Sequence, residues 1–194
     1  MTSGSSTAGP EPADGRLTNL VGAWSLAVAD RVAAAAEAAA GSGGRTAAAL
    51  VALHEFAGGR TLEDLRDVLG FTHSAAVRLA DNLVLAGYLV RGSDPDDGRA
   101  VALTLTAAGR AAARRVVRAR REAIEATLAQ LSTRERRALE VLVARLTADI
   151  TALRLAERRE GTLPPNGWLC RLCDLQACGR PDGRCPAVRH APPR

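Results

Sequence analysis

The chain of 194 residues contains no lysine, few aromatic residues and no long hydrophobic run. Aromatic residues make up only 3%, which excludes the base-stacking surface that single-stranded nucleic acid binders use. No apolar segment reaches the roughly 18 residues that a membrane span needs, and the first residues lack the cationic start and apolar core of a secretory signal. We therefore expect a cytoplasmic protein that makes no membrane contact.

All 26 cationic side chains are arginines, and the formal net charge is +5. Arginine binds phosphate groups through paired hydrogen bonds and keeps its charge, so this balance favours nucleic acid as a partner. A coding bias towards arginine explains the same composition equally well. Hydrophobic residues at 47% and charged residues at 24% are typical of a globular chain that buries a core.

Apolar residues recur at helical spacing over most of the chain. This pattern predicts helices over Leu17–Ala40, Thr46–Ala57, Leu62–Leu69, His73–Ala86, Ala107–Gln130 and Ser132–Glu157. Thr61, Thr72 and Ser132 are candidate N-caps. Two short runs rich in β-forming residues, Tyr88–Arg91 and Ala100–Thr106, predict a hairpin. We therefore expect a mainly α fold with a small β-hairpin wing: a winged helix-turn-helix with long dimerisation helices.

Four motifs occur in order along this region: Leu65-x3-Leu69-Gly70, Val77-x-Leu79-x3-Leu83-x3-Gly87-Tyr88-Leu89-Val90-Arg91, Asp94-Pro95-x-Asp97-Gly98-Arg99 and Val101-x-Leu103-Thr104-Leu105-Thr106-x2-Gly109. Together they resemble the MarR family of winged helix-turn-helix transcriptional regulators over approximately Leu17–Ala156. In the third motif, Asp96 stands where the family's wing tip usually carries an arginine. The resemblance implies a homodimer that binds double-stranded DNA. It also implies a small-molecule effector between the dimerisation helices and the DNA-binding lobe, with Trp24, His54 and Phe56 as candidate lining residues.

The candidate DNA contacts lie on the second helix of the helix-turn-helix and on the wing. The N-terminal part of a recognition helix faces base edges in the major groove, which nominates His73, Ser74, Ala75, Arg78 and Asn82. Arg91 is a candidate phosphate contact. The resemblance implies that Arg99 enters the minor groove, and an aspartate such as Asp94 would hold it by a bidentate pair. The alternative is that these are ordinary surface side chains on a helix and an Asp-Gly turn.

All four cysteines lie within 16 residues near the end of the chain, as Cys170, Cys173, Cys178 and Cys185. In the cytosol such thiols are kept reduced, so a metal site is more plausible than structural disulfides. Four thiolates at this spacing suit a tetrahedral zinc site, and Trp168 and Leu172 would supply hydrophobic cover. An iron–sulfur cluster and a reversible thiol switch are the two alternatives.

These patterns predict four segments: a disordered tail at residues 1–15, a MarR-type DNA-binding and dimerisation domain at 16–158, a linker at 159–167 and a cysteine-rich metal-binding tail at 168–194. The predicted function is a sequence-specific DNA-binding transcriptional regulator with a metal- or redox-sensing module. The alternatives are a redox or metal-dependent enzyme and a protein-binding adaptor. We expect no catalysis, because the sequence has no Gly-rich phosphate loop, paired acids or nucleophile arrangement.

Overall fold

The computed structural model describes residues 15–56, 60–93, 101–162 and 167–188. Its helices are α1 (Gly15–Ala40), α2 (Gly44–Glu55), α3 (Leu62–Leu69), α4 (His73–Leu85), α5 (Ala107–Thr127) and α6 (Thr133–Arg159), and its strands are β1 (Arg60–Thr61), β2 (Leu89–Ser93) and β3 (Val101–Leu105). A single 3-10 turn follows at Leu169–Leu172. The predicted fold class is confirmed. None of the helices in the described ranges is long and apolar enough to cross a membrane.

The predicted N-caps are present and explain where the helices begin. Thr61 accepts a hydrogen bond from the Asp64 backbone N–H, and the Asp64 carboxylate accepts one from the Thr61 N–H in return. Ser132 and Glu135 form the same reciprocal arrangement at the start of α6. Thr72 caps α4. Each cap satisfies backbone donors that a helix N-terminus leaves unpaired.

The three strands form an antiparallel sheet in the order β1-β3-β2. The hairpin of β2 and β3 is the predicted wing, with Leu89 opposite Leu105. β1 was not predicted, because a two-residue strand beside a helix cap is too short to show any periodicity. The core lies around α2, and its largest fully buried side chains are Leu50, Val51, Leu65, Leu83, Leu89 and Val116.

The start of α5 is tied to the turn that precedes β2. The Thr106 hydroxyl donates to the Gly87 carbonyl at 2.7 Å and accepts from the Gly109 N–H at 3.0 Å. The Tyr88 carbonyl approaches Gly109 so closely that a Cβ there would lie 2.1 Å from its oxygen. The Thr106-x2-Gly109 motif therefore fixes the position of the wing relative to α5.

The two terminal helices of the domain carry large exposed apolar faces. On α6 no residue is buried, and six of its large apolar side chains are exposed: Val141, Leu142, Val143, Leu146, Ile150 and Leu153. On α1 the exposed set is Leu17, Leu20, Val21, Trp24 and Leu26. Most stability of a helix in a protein comes from packing its apolar face, and a single protomer does not provide this packing for α6.

Candidate DNA interface and cysteine module

One sector of α4 collects most of the predicted DNA contacts. Ser74, Arg78 and Asn82 are exposed and Ala75 is half-buried, while the opposite side of the helix faces the core through Ala80 and Leu83. His73 is also exposed but begins the helix five residues before Arg78. At 3.6 residues per turn, the two side chains project about 140° apart. The structure therefore brings Ser74, Ala75, Arg78 and Asn82 together and places His73 to one side.

Arg91 on β2 is held to α4 by an ion pair. Its guanidinium nitrogen lies 2.8 Å from a carboxylate oxygen of Asp81, and both side chains are partly exposed. The pair connects the wing to the same helix that carries Arg78. Asp94 and Arg99 lie outside the described residues, so their predicted places at the wing tip stay predictions.

Two of the arginines of α5 form ion pairs within their own helix. Arg118 lies 4.0 Å from Glu122, and Arg121 lies 3.7 Å from Glu125. All four side chains are about 60% exposed, and exposed pairs of this kind contribute little to stability. This face therefore matches a solvated helix surface.

A cleft of about 1010 Å³ opens between α1, α2 and α4, and its lining also includes the 3-10 turn. Three arginines reach it: Arg45, Arg78 and Arg171. Trp24, His54 and Phe56 do not border this cleft, so their place beside an effector stays a prediction. His54 instead lines a separate cavity of about 260 Å³ beside α5.

The cysteine tail covers the side chain of Phe56. The rings of Phe56 and Trp168 meet edge to face with centroids 5.4 Å apart. The Arg180 guanidinium lies 5.2 Å from the centroid of the same Phe56 ring. Both arrangements are favourable contacts for an aromatic ring. Trp168 and Leu172 both pack against the core of the domain, and the hydrophobic cover that they would give a metal site stays a prediction.

The tail, residues 167–188, packs on the DNA-binding lobe through backbone contacts that sequence reasoning missed. The Leu175 N–H donates to the Glu55 carboxylate at 2.8 Å, and Leu175 itself is buried in the core. The Trp168 N–H donates to the Val68 carbonyl at the end of α3, also at 2.8 Å. The only sequence signal was that one of the chain's two tryptophans, Trp168, lies two residues before the first cysteine.

The four thiols are all free, and the interactions that shift their pKa values join Cys170 with Cys173 and Cys178 with Cys185. The pairs also interact with each other, since Cys185 acts on Cys170 and Cys173 acts on Cys178. Cys185 is buried and the other three are half-buried. The fold has thus gathered all four predicted ligands into one neighbourhood.

The thiols differ in acidity. The hydrogen bond from Cys170 lowers the pKa of Cys173 to about 6, against the opposing effect of burial. The same hydrogen bond, together with burial, raises the pKa of Cys170. Burial and the neighbouring Cys185 raise the pKa of Cys178 to about 11. Cys173 is therefore the thiol that most readily supplies a thiolate, the form that binds metals.

Arginines surround the thiols. A guanidinium nitrogen of Arg180 lies 4.0 Å from the Cys170 sulfur, and Arg120 and Arg180 both favour the thiolate of Cys173. Within the ranges that the structure describes, no three His, Cys, Asp or Glu side chains are yet arranged so as to hold one metal ion. The thiols are near neighbours, but they do not form a finished coordination shell.

Part of the chain matches the sequence profile of a known protein family. Residues 42–100, which run from the start of α2 to the wing, match the sequence profile of the MarR family. Over these residues the chain is similar to the MarR family. That match contains α2, α3, α4 and the first strand of the wing, β2, and it ends just before β3. No curated protein matches the chain.

Solved structures share the fold over most of their own length. RV1404 from Mycobacterium tuberculosis is 26% identical with a TM-score of 0.61, covering 72% of this chain and 96% of that chain. CouR from Rhodococcus jostii, solved with p-coumaroyl-CoA, is 20% identical with a TM-score of 0.53, covering 70% and 94%. A mutant of Staphylococcus aureus MepR, solved with an oligodeoxyribonucleotide, is 18% identical with a TM-score of 0.53, covering 69% and 97%. The whole MarR-type fold is therefore present in this chain.

Proposed function

We propose that this MarR-family protein is a cytoplasmic transcriptional regulator that binds double-stranded DNA as a homodimer. The observation that carries the proposal is the exposed sector of α4, where Ser74, Arg78 and Asn82 project from a capped helix-turn-helix. A helix presented in this way fits the major groove. The structurally similar MepR mutant was solved with an oligodeoxyribonucleotide, which agrees with this use of the fold.

The second half of the proposal is that α1 and α6 pair with the same helices of another copy. The exposed apolar residues of α6 recur at helical spacing from Val141 to Leu153, and none of them is buried in one protomer. A second copy offers an identical stripe, and two-fold pairing would bury both. The two recognition helices would then face a palindromic DNA site.

The wing extends the interface beyond α4. The Arg91–Asp81 pair fixes β2 beside α4, so the described part of the wing is held next to the recognition helix. Arg99, implied by the family resemblance as the minor-groove arginine, follows at that tip in the sequence. Arginine is favoured in a narrow minor groove because the electrostatic potential there is strongly negative.

The test is selection of double-stranded DNA from a random library by the full chain, followed by affinity measurement on the enriched site. We expect a palindrome, and we expect Arg78→Ala to weaken binding about tenfold or more, since a bidentate base contact contributes about 1–3 kcal/mol. Arg118→Ala, which removes an equally charged residue from the α5 surface, is the matched control. If the library yields no enriched site, or if both variants lose affinity equally, the assigned interface is wrong.

We further propose that the four cysteines bind one zinc ion. The donor set is the one that structural zinc sites use, and the segment has too small a core of its own to fold without support. A zinc ion with four thiolates carries a net charge of −2, which Arg120 and Arg180 would stabilise from the surrounding shell. Zinc would draw the two thiol pairs into a single tetrahedron.

Metal analysis of anaerobically purified protein tests this assignment. One zinc per chain and no visible absorption is the expected result, and cobalt substitution should give the strong bands of tetrahedral thiolate coordination. A brown protein containing iron would establish the iron–sulfur alternative. Protein that carries no metal would leave the thiol switch, for which the Cys170–Cys173 and Cys178–Cys185 pairs are the natural disulfides.

The cleft beside α4 is the place that we propose for a small-molecule effector. Its volume of about 1010 Å³ lies at the upper end of ordinary ligand sites, and an occupant would contact Arg78 of the DNA-binding helix directly. The structurally similar CouR was solved with p-coumaroyl-CoA. Regulation, not catalysis, is the role that the family assignment supports, and an adaptor without DNA affinity would fail the library selection.

A further inference from the structure

The end of α3 is in direct backbone contact with the cysteine tail. The last carbonyls of a helix have no partner within the helix, and the Val68 carbonyl finds its donor in the Trp168 N–H at 2.8 Å. Val68 lies one residue before the end of the first helix of the helix-turn-helix. A segment next to the cysteines thus completes the hydrogen bonding of the DNA-binding motif.

The contact is possible only because residue 167 is glycine. Gly167 has a φ of +66°, and a Cβ there would lie 2.2 Å from the Val68 oxygen, 2.5 Å from the Leu69 carbonyl carbon and 2.7 Å from the Gly70 nitrogen. These atoms belong to the turn between α3 and α4. Because the backbones touch with no side chain between them, displacing the tail must change the surroundings of that turn.

The same two residues contact α2 and α6. The Trp168 ring packs edge to face on Phe56 at the end of α2, and the Arg158 guanidinium lies 6.0 Å from its centroid. Arg154 donates to the Gly167 carbonyl at 3.3 Å. Gly167 and Trp168 therefore form a junction, named here the tail junction, between the helix-turn-helix, the core and the last long helix.

The cysteine module begins immediately beyond this junction. Cys170 follows Trp168 by two residues, and the 3-10 turn Leu169–Leu172 joins them. Few of the module's own residues are buried, namely Leu175, Cys185 and Ala187. A segment of this size with so small a core depends on its ligand for order.

We propose that the cysteine module regulates DNA binding through the tail junction: with zinc bound it holds Gly167 and Trp168 against the end of α3 and keeps the α3–α4 turn in its DNA-binding form, and loss of zinc releases both. This inference rests on the proposed function, since it assigns the regulation of the same DNA-binding helix. Zinc-loaded protein is the high-affinity state. The apparent DNA affinity of the metal-free protein is proportional to the fraction of molecules that keep the turn in place.

The first experiment compares the full chain with zinc and after treatment with a zinc chelator, using the selected DNA site. Affinity should fall at least tenfold on chelation and return when zinc is added back. Trp168 reports the junction directly in a Trp24→Phe background, because the chain has only two tryptophans. Its emission should shift to the red on chelation as the ring leaves Phe56. An unchanged affinity, or a Trp168 emission that stays blue while affinity falls, overturns the proposal.

The second experiment separates the junction from the metal site. Gly167→Ala leaves every cysteine in place, and we expect it to bind one zinc yet to have the low DNA affinity of the metal-free protein, with no further response to chelation. Gly161→Ala is the matched control, because Gly161 also has a positive φ, of +85°, but nothing within 4 Å of its Cβ position. It should behave as wild type. Equal effects of the two substitutions would show backbone strain instead of a specific contact.

These experiments distinguish failure of the proposed function, of the zinc assignment and of the coupling between them. A wild-type chain that selects no DNA site refutes the proposed function, and this inference with it. A chain that binds DNA but no metal refutes the zinc assignment. A chain that binds both, with affinity independent of zinc, keeps the proposed function and refutes only the coupling. If Gly167→Ala does not fold, Trp168→Phe, which keeps the backbone contact but weakens the ring packing, should give an intermediate loss of zinc response.

Discussion

Replacing Gly109 with alanine should destabilise the protein although alanine is the better helix former. The added Cβ would lie 2.1 Å from the Tyr88 oxygen, whereas real Cβ atoms essentially never come within 3.0 Å of such a neighbour. The two backbones must therefore separate by about 0.9 Å. That movement strains the Thr106–Gly87 hydrogen bond and the bond from the Thr106 N–H to the Tyr88 carbonyl.

The expected cost follows from three contributions. Overpacking costs about 1–3 kcal/mol, weakening a buried backbone hydrogen bond costs about 1 kcal/mol, and alanine regains about 1 kcal/mol through helix propensity. The free energy of unfolding should therefore fall by about 1–3 kcal/mol. With a denaturant dependence of about 2 kcal/mol per molar urea, the midpoint should fall by about 0.5–1.5 M.

Urea denaturation at one fixed protein concentration measures this change, because dimer stability depends on concentration. Gly22→Ala is the matched control: Gly22 lies within α1 with nothing within 4 Å of its Cβ position, so this substitution should raise stability by about 0.5–1 kcal/mol. A Gly109→Ala protein as stable as Gly22→Ala would refute the argument that Tyr88 and Gly109 touch. DNA affinity should also fall, since β2 begins at the next residue after Tyr88.

Four further outcomes are expected. Arg99→Ala should weaken operator binding by about 1–3 kcal/mol with little change in thermal stability, and a loss of folding would assign it a structural role instead. A plot of log affinity against log salt should fall by about 0.9 per phosphate contact, whereas a flat plot would favour the adaptor. Cys178→Ser should reduce bound metal, and full metal content would contradict a shared site. Ser132→Ala should cost about 1 kcal/mol through loss of the helix cap. Hydrogen bonds from Ser132 also lower the pKa of Glu135, so the stabilisation from that carboxylate is present above its ordinary pKa and is lost as pH falls through the lowered one.

The features that sequence alone predicts are those set by neighbouring residues. Helix starts depend on a side chain and a backbone N–H three residues away. The N-caps Thr61, Thr72 and Ser132 could therefore be predicted from the sequence. The sector of α4 follows from helical periodicity in the same way. The wing could be placed because alternation in β3 is local, although its tip lies outside the described residues.

The features that sequence could not give are set by contacts between distant residues. Leu175 and Glu55 are 120 residues apart in the chain, and no composition or spacing rule connects them. The contact of Trp168 with Phe56 is another example, because the two residues are distant in the sequence and their rings meet only in the fold. Motifs identified the cysteines as a group, but only the fold shows which surface they meet.

Position in the sequence suggests that the cysteine module acts through α6, which it follows, but the contacts favour α3. On the α6 side, the junction is held by long arginine side chains, with Arg154 at 3.3 Å from the Gly167 oxygen. Such side chains adjust at low cost when their partner moves. On the α3 side, backbone meets backbone at 2.8 Å with no room for a Cβ. Close-packed contacts transmit displacement because they cannot deform gradually, so we expect a change in the tail to reach the helix-turn-helix before it alters the proposed pairing of α6.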